Sequence, residues 1–181
     1  MSRFASLIPL LRGVLWTRRS GVQAKNRPRI MGPRCRLDVQ PGGQLRIGVN
    51  LVVDRDVEIV VYPGGVLELG DNVYIGHGST VACAQSIRIG NDTIIGDLVS
   101  IRDMNHLRQP GVPLRASGIR TQPIRIGANC WLGSKVTVTA GAALGDESTA
   151  AANAVVTGTF DAASVVGGVP ARPIAGREAQ S

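Results

Sequence analysis

Residues 126–166 read IGANCWLGSKVTVTAGAALGDESTAAANAVVTGTFDAASVV, and their spacing decides the fold. Apolar residues recur at every sixth position: Ile126, Leu132, Val138, Leu144, Ala150, Val156 and Ala162. Four places after each stands a mostly small or β-branched residue: Cys130, Val136, Ala142, Ser148, Ala154, then Phe160 as the outlier, then Val166. A helix advances about 100° per residue, so a step of six scatters these positions around its circumference. Short strands joined by tight corners collect them on one side instead. Three such units close a triangular coil of 18 residues, with the leading aliphatic and the fourth-following residue inside. Stacked coils about 4.8 Å apart then bury a continuous core, with backbone hydrogen bonds running along the stack.

The same grammar extends towards the N-terminus. Leu69, Ile75, Val81 and Ile87 keep step; after a slip of two residues so do Ile89, Ile95 and Ile101, and a weaker stretch runs through Ile47, Val53 and Ile59. Composition agrees: 23 glycines and 3% aromatics in 181 residues leave small side chains to fill the core. Gly70-Asp71-Asn72, Gly90-Asn91-Asp92 and Gly127-Ala128-Asn129 have the residue types that tight corners require. The chain is therefore expected to be all-β, a parallel β-helix over residues 37–175 with a tail at 176–181.

The repeat breaks once. After Ile101 comes Arg102-Asp103-Met104-Asn105-His106, followed by a polar excursion over residues 107–123 before Ile124 and Ile126 resume the pattern. Pro110, Gly111, Pro113 and Gly118 mark this stretch as irregular chain. A solenoid accommodates insertions as loops on one face, often the binding face, so a protruding loop preceded by a histidine is the first place to look for chemistry.

Charge divides unevenly. The net +7 arises from residues 1–36, which hold nine Arg or Lys and no acid; residues 37–181 hold eleven basic and thirteen acidic side chains, or 11 − 13 = −2. Within the basic arm, Phe4, Leu7, Ile8, Leu11 and Leu15 recur at helical spacing among Arg3, Arg12, Arg18 and Arg19, which predicts an N-terminal amphipathic helix. Such a helix either lies on an anionic membrane surface or caps the open end of the β-helix. Nucleic acid is not expected as a partner, because the arm has neither interleaved aromatics nor a binding module. The apolar run from Phe4 to Trp16 is too short to span a bilayer and lacks a small-residue cleavage site. A cytoplasmic protein, peripheral at most to the inner face of the membrane, is the expectation. Cys35, Cys83 and Cys130 are odd in number and widely spaced, as reduced buried thiols would be.

The segments Ile89–Asp92, Ile126–Gly133 and Gly167-Gly168-Val169-Pro170-Ala171-Arg172-Pro173-Ile174 resemble the left-handed β-helix acyltransferases built from hexapeptide repeats. The similarity covers roughly residues 45–175 and is strongest to the sugar and polysaccharide O-acetyltransferases related to maltose O-acetyltransferase and the xenobiotic acetyltransferases. The resemblance implies a left-handed coil and an acetyl-CoA-dependent O-acetyltransferase acting on a hydroxyl of a sugar, glycolipid or polysaccharide precursor. It also implies a homotrimer with active sites between subunits.

It further assigns roles residue by residue. An Asp-x-x-His-like motif entering the loop points to His106 as catalytic base, which suits removal of a hydroxyl proton as the oxygen attacks a thioester. Many relatives carry a second histidine where this chain has Met104. Asp103 either orients the base or is a corner residue. Asn105 precedes the base and binds the acceptor or hydrogen-bonds within the core. His77 and Ser79 stand where the family places acceptor contacts, His77 alternatively being an exposed corner. Trp131 lines the site or packs. On the donor side the Ser134 amide stabilises the oxyanion, backbone at Ala152 meets the pantetheine arm, and Thr157 and Arg172 face the nucleotide. Where relatives have Lys after this threonine the chain has Gly158, leaving Lys135 or Arg177 to supply the charge.

Two other classes remain as rivals: a noncatalytic β-helix scaffold or binding module, and an acetyltransferase for an antibiotic or other small alcohol. A zinc hydratase on this fold needs three histidine ligands and the chain has two, so no metal is expected.

Overall fold

The computed structural model describes residues 11, 13–15, 17–26, 28 and 30–174. Three parallel sheets wrap a triangular prism. Sheet A stacks Val22–Ala24, Gln44–Ile47, Val66–Leu69, Ser86–Ile89, Ile124–Ile126, Ala143–Leu144 and Thr159–Phe160. Sheet B runs from Ile30–Met31 through Val52–Val53, Tyr74–Ile75, Ile94–Ile95, Trp131–Leu132 and Thr149–Ala150 to Val165–Gly167. Sheet C comprises Arg36–Val39, Glu58–Val61, Thr80–Cys83, Ser100–Arg102, Thr137–Val138 and Val155–Val156. The chain visits A, B and C in turn, as the sixfold period requires, and the architecture fits the left-handed β-helix that the resemblance implies.

The core is a column of aliphatic side chains. Ile75, Ile95 and Leu132 stack on face B, and Ile59, Val81, Ile101 and Val138 on face C, all at most 1% exposed. Burial of each aliphatic contributes about 1.5–3 kcal/mol. Between coils the backbone bonds run along the axis, for example from the Gly48 amide to the Leu69 carbonyl at 2.8 Å. Corners use the left-handed backbone region at Asn50, Asn72, Asp92 and Asn129. The short polar side chains there also ladder: Asn50 Nδ2 donates to Asn72 Oδ1 at 2.9 Å and Asn72 Nδ2 to Asp92 Oδ1 at 2.8 Å.

Coil length is not uniform, and this explains the slip. Gln44 pairs with Val66, 22 residues on, and Val66 with Ser86, 20 on. In these coils the face A strands have four residues and point two inward, such as Ile87 and Ile89. Beyond the break, Arg125 pairs with Ala143 at the expected 18. The last coil shortens again: Leu144 pairs with Phe160 and Ala150 with Val166, 16 residues apart. Phe160 therefore occupies the position expected for Ala162, which is exposed at the following corner. The prism also begins earlier than residue 37, since Val22–Ala24 pairs with Leu45–Ile47.

Most of the amphipathic helix expected in the arm, including Phe4, Leu7 and Ile8, lies outside the described residues. Leu11, Gly13–Leu15 and Thr17 are helical. Gly13 is buried, in the space where a Cβ would meet the Pro28 carbonyl at 3.2 Å. Leu11 and Leu15 are 59% and 66% exposed, so the leucine side of this turn faces away from the prism. Among the described residues no helix is long and apolar enough to cross a membrane. None of the three cysteines is in a disulfide; Cys83 and Cys130 are buried, whereas Cys35 is only half-buried.

Candidate active site

The break in the repeat falls at the edge where face C turns into face A. In place of a tight corner the chain leaves the prism as an antiparallel hairpin, Met104–His106 against Ile119–Thr121, with a single 3-10 turn at Leu114–Ala116 in its distal loop. The excursion expected over 107–123 thus includes the strand that bears the histidine. Register pairs Met104 with Thr121, Asn105 with Arg120 and His106 with Ile119.

A cleft of about 550 Å³ opens at the root of this hairpin. Tyr62, Pro63, Ala84 and Arg102 line its prism side, and Met104, Asn105, His106, Ile119 and Thr121 its hairpin side. His106 is exposed, and among the described residues its ring makes no hydrogen bond or ion pair, so both ring nitrogens are open to a ligand. Asn105 is exposed beside it. Tyr62 and Arg102 were missed by the sequence reading. The available signal was the outward place of Arg102 in the alternation of buried Ile101, exposed Arg102 and buried Asp103; nothing local marks Tyr62, which comes from two coils earlier.

Asp103 is a latch rather than a partner of the histidine. It is fully buried, and its carboxylate accepts from the amides of Ala84, Gln85 and Ser86 at 2.7, 2.8 and 2.8 Å. The Cys83 thiol also points at it, 3.7 Å away. Burial, and next the negative charge of Asp103, push that thiol up to about 12, so it stays protonated at neutral pH. Of the two roles open to Asp103, the structure shows the corner: it ties the start of the hairpin to the turn that carries Ala84 into the cleft wall. Ser79 also requires correction. It is fully buried, its hydroxyl donates its one proton to the Gly96 carbonyl at 2.9 Å and accepts from the Val99 amide at 3.1 Å, so it presents no group at the surface to an acceptor.

The other expected site residues occupy a different edge, where face B turns into face C. His77 lies there, its Nδ1 3.3 Å from the Arg55 carbonyl and 3.5 Å from Asp56 Oδ2. Ser134, Lys135 and Ala152 follow on the same edge and are exposed. Higher up this edge the His77 amide is capped by Asp97 Oδ1 at 3.0 Å. The amides of Ser134 and Ala152 donate to nothing among the described residues, which leaves two N–H donors in successive coils. Trp131 lies on face B beside the A-to-B corner, 51% exposed between Ile94 and Thr149, and does not pack in the core. Arg172 sits in the short strand Arg172–Pro173 that returns antiparallel onto Val166–Gly167. Thr157 is on the His106 edge, in a later coil. Within one chain, the base and the free amides are therefore separated by the width of face C. A second cleft of about 430 Å³, at the A-to-B corner beside Lys25, Arg46 and Asp71, has no imidazole and no place in this constellation.

Among the described residues no group of His, Cys, Asp and Glu has the arrangement of a metal site.

Comparison with known proteins agrees with this fold. The family described as hexapeptide repeat of succinyl-transferase matches residues 123–158. WbbJ of Escherichia coli (strain K12), whose name assigns it to lipopolysaccharide biosynthesis as an O-acetyl transferase, is 31% identical over 144 residues, 75% of this chain and 74% of its own. Galactoside O-acetyltransferase of the same organism is 31% identical over 112 residues, 61% of this chain and 54% of its own. Among solved structures, a complex of the N-acyltransferase AntD from Bacillus cereus with dTDP-4-amino-4,6-dideoxyglucose and coenzyme A superposes with a TM-score of 0.71. That match is at 17% identity and covers 98% of this chain and 90% of that one. A maltose O-acetyltransferase from Clostridium difficile 630 gives 0.57 at 24% identity, over 87% and 70% of the two chains. With its fold, its single hairpin insertion and a relative matched over three quarters of its length, the chain belongs to the hexapeptide-repeat acyltransferase family and is an acetyltransferase.

Proposed function

We propose that this protein transfers the acetyl group of acetyl-CoA to a hydroxyl of a saccharide, glycolipid or polysaccharide precursor, with His106 as general base. The observation that carries the reading is the imidazole of His106, exposed and, among the described residues, unpartnered in a cleft at the hairpin that interrupts the repeat. A ring nitrogen takes the acceptor's hydroxyl proton as its oxygen attacks the thioester carbonyl. The C–S bond then breaks, and the same proton passes to the departing CoA sulfur. That Asn105, on the same strand, lines the same cleft supports it as a residue that holds the acceptor.

The residues present suit the donor. The free amides of Ser134 and Ala152 are of the kind that holds a developing oxyanion or a pantetheine amide, and Lys135 and Arg172 supply cations near the same edge. Since these amides and His106 occupy different edges, a complete site requires the B-to-C edge of one copy beside the C-to-A edge of another. This favours the homotrimer with intersubunit sites that the family resemblance implies. The relatives are named for galactosides, maltose or lipopolysaccharide biosynthesis, which supports a sugar hydroxyl over an antibiotic. The exposed Leu11 and Leu15, beside Arg18 and Arg19, favour contact of the N-terminal arm with an anionic membrane surface, and so a cytoplasmic, membrane-peripheral location.

The test is acetyl transfer to a panel of sugars by the wild type and by His106→Ala. General-base catalysis is worth about 10² to 10⁴ in rate, so turnover should fall by that factor while the melting temperature stays unchanged. A fully active His106→Ala protein would end the proposal.

A further inference from the structure

Arginines that point outward from the early coils are matched by acids one coil away: Arg36 by Glu58 at 3.1 Å, and Arg88 by Glu68 at 2.6 Å. Arg102 breaks that rule. It stands exposed on the strand that leads into the hairpin and lines the His106 cleft. Among the described residues its guanidinium makes no hydrogen bond or ion pair. Its strand neighbour in the preceding coil is Ala82, which offers no charge.

No acid can approach it from the hairpin either. The 42 residues from Met104 to Gly145 contain no aspartate or glutamate, and five cations: Arg108, Arg115, Arg120, Arg125 and Lys135. Asp103, the nearest carboxylate in sequence, is buried and committed to three backbone amides. None of these five cations lines the cleft, so Arg102 is its lining cation, with Arg108, Arg115 and Arg120 on the hairpin and its distal loop beside it. A cleft lined by one sign of charge raises the local concentration of ions of the other sign.

The position of Arg102 indicates which reactant supplies the anion. In acetyl-CoA the reacting thioester is separated from the phosphates by the whole neutral pantetheine arm. A guanidinium sharing a cleft with the base therefore meets the uncharged end of the donor, and its counter-ion must arrive on the acceptor. We infer that the acceptor is an anionic sugar, bearing a phosphate or a carboxylate that the Arg102 guanidinium grips while His106 addresses a hydroxyl. The fork of guanidinium donors matches both groups. This inference rests on His106 marking the acceptor side of the proposed transferase.

The experiment reads binding apart from turnover, so that it and the transferase proposal can fail separately. Glucose, glucuronic acid and glucose 6-phosphate are titrated into the full-length protein, wild type, Arg102→Ala and Arg108→Ala, by ligand-observed NMR, and acetyl-CoA is titrated into the same proteins by calorimetry. At least one charged sugar should bind wild type about tenfold or more tighter than glucose, as a charge-assisted contact gives; which one does so separates carboxylate from phosphate. Arg102→Ala should erase that preference and leave acetyl-CoA affinity unchanged, while Arg108→Ala keeps the preference. Equal binding of all three sugars, no binding of either charged one, or weakened acetyl-CoA binding in Arg102→Ala would overturn the inference. Turnover with glucose adds one more check: a fall in kcat without a change in KM in Arg102→Ala would make the arginine a transition-state group and likewise overturn it.

Discussion

The coils before the hairpin and those after it share one cross-section but spend their surfaces differently. Every ion pair among the described residues involves positions up to Arg88 and none beyond it. On face A the outward column reads Arg46, Glu68, Arg88, each paired with the next; past the insertion it continues with Arg125, where like charge follows like. Early strands on faces A and C mostly have four residues, later ones mostly two. Corner amides capped by a side chain in the early coils, such as His77 by Asp97, are uncapped at Ser134 and Ala152. The early coils satisfy themselves. The later ones leave cations and N–H donors open, as a surface that binds an anionic, amide-bearing ligand should.

The largest expected effect tests whether the lean later coils still share the core. Leu144, 2% exposed, is the inward residue of a two-residue strand. Leu144→Asp buries an unpaired charge at a cost of about 4 kcal/mol or more, a large share of an ordinary domain's stability. Circular dichroism on heating should show no cooperative transition. A melting curve like the wild type's would mean that the later coils are held by something other than this core.

Next in size is the junction between the two regions. Asp103→Ala strips the acceptor from three amides, each left short of a partner at about 1–3 kcal/mol when buried; because Ala84 to Ser86 are partly exposed, a loss of about 2–3 kcal/mol in denaturant melts is expected. Turnover should fall with it as the wall at Ala84 loosens. If Asp103 served only to orient His106, turnover would fall and stability would not.

A smaller effect is expected at the corners of the later coils. A Cβ at Gly127 would lie 2.5 Å from the Asp146 amide in the next coil, whereas one at Gly158 would meet nothing within 4 Å. Gly127→Ala should cost about 1–3 kcal/mol by overpacking, and Gly158→Ala should stay within about 0.5 kcal/mol of wild type. Equal effects would show that the coils can part at these corners without penalty.

The same contrast separates what the sequence disclosed from what it hid. Inward positions such as Ile75, Ile101 and Leu132 were legible because one rule, an aliphatic every six residues, acts on each coil. Phe160 was misassigned because a coil of 16 residues departs from that rule where few repeats remain to correct it. The hairpin was seen as an interruption, but its strands were not, since three-residue arms have too short an alternation to read. His106 and Asn105 were found by adjacency to the break. Ser79 and Asp103 were drawn towards the site by their chemistry, yet local hydrogen bonds to coil neighbours, which sequence spacing does not reveal, had already claimed them. Tyr62 and Arg102 needed the fold itself, because the cleft gathers residues from three different coils.

The smallest effect concerns the ladder on which the contrast rests. Glu68 stands between Arg46 and Arg88, and chiefly the hydrogen bond from Arg88 holds its carboxyl below the ordinary value of 4.5, against the opposing effect of partial burial. A depressed carboxyl binds its proton more weakly in the folded chain than in the unfolded one. Its stabilisation is thus present in full above the unfolded value and is lost as pH falls through the folded one. Because both arginines are at least half exposed, solvent and salt screen the pairs, and Glu68→Gln should cost only about 0–1 kcal/mol at neutral pH. Urea melts of the two proteins at pH 7 should differ by that amount, converge as pH is lowered below the carboxylate range, and converge also in about 1 M salt, where screening acts within about 3 Å. A difference that persists in acid would mean that Glu68 acts through packing rather than charge, and the distinction between a charge-laced early half and an open later half would lose its best-defined rung.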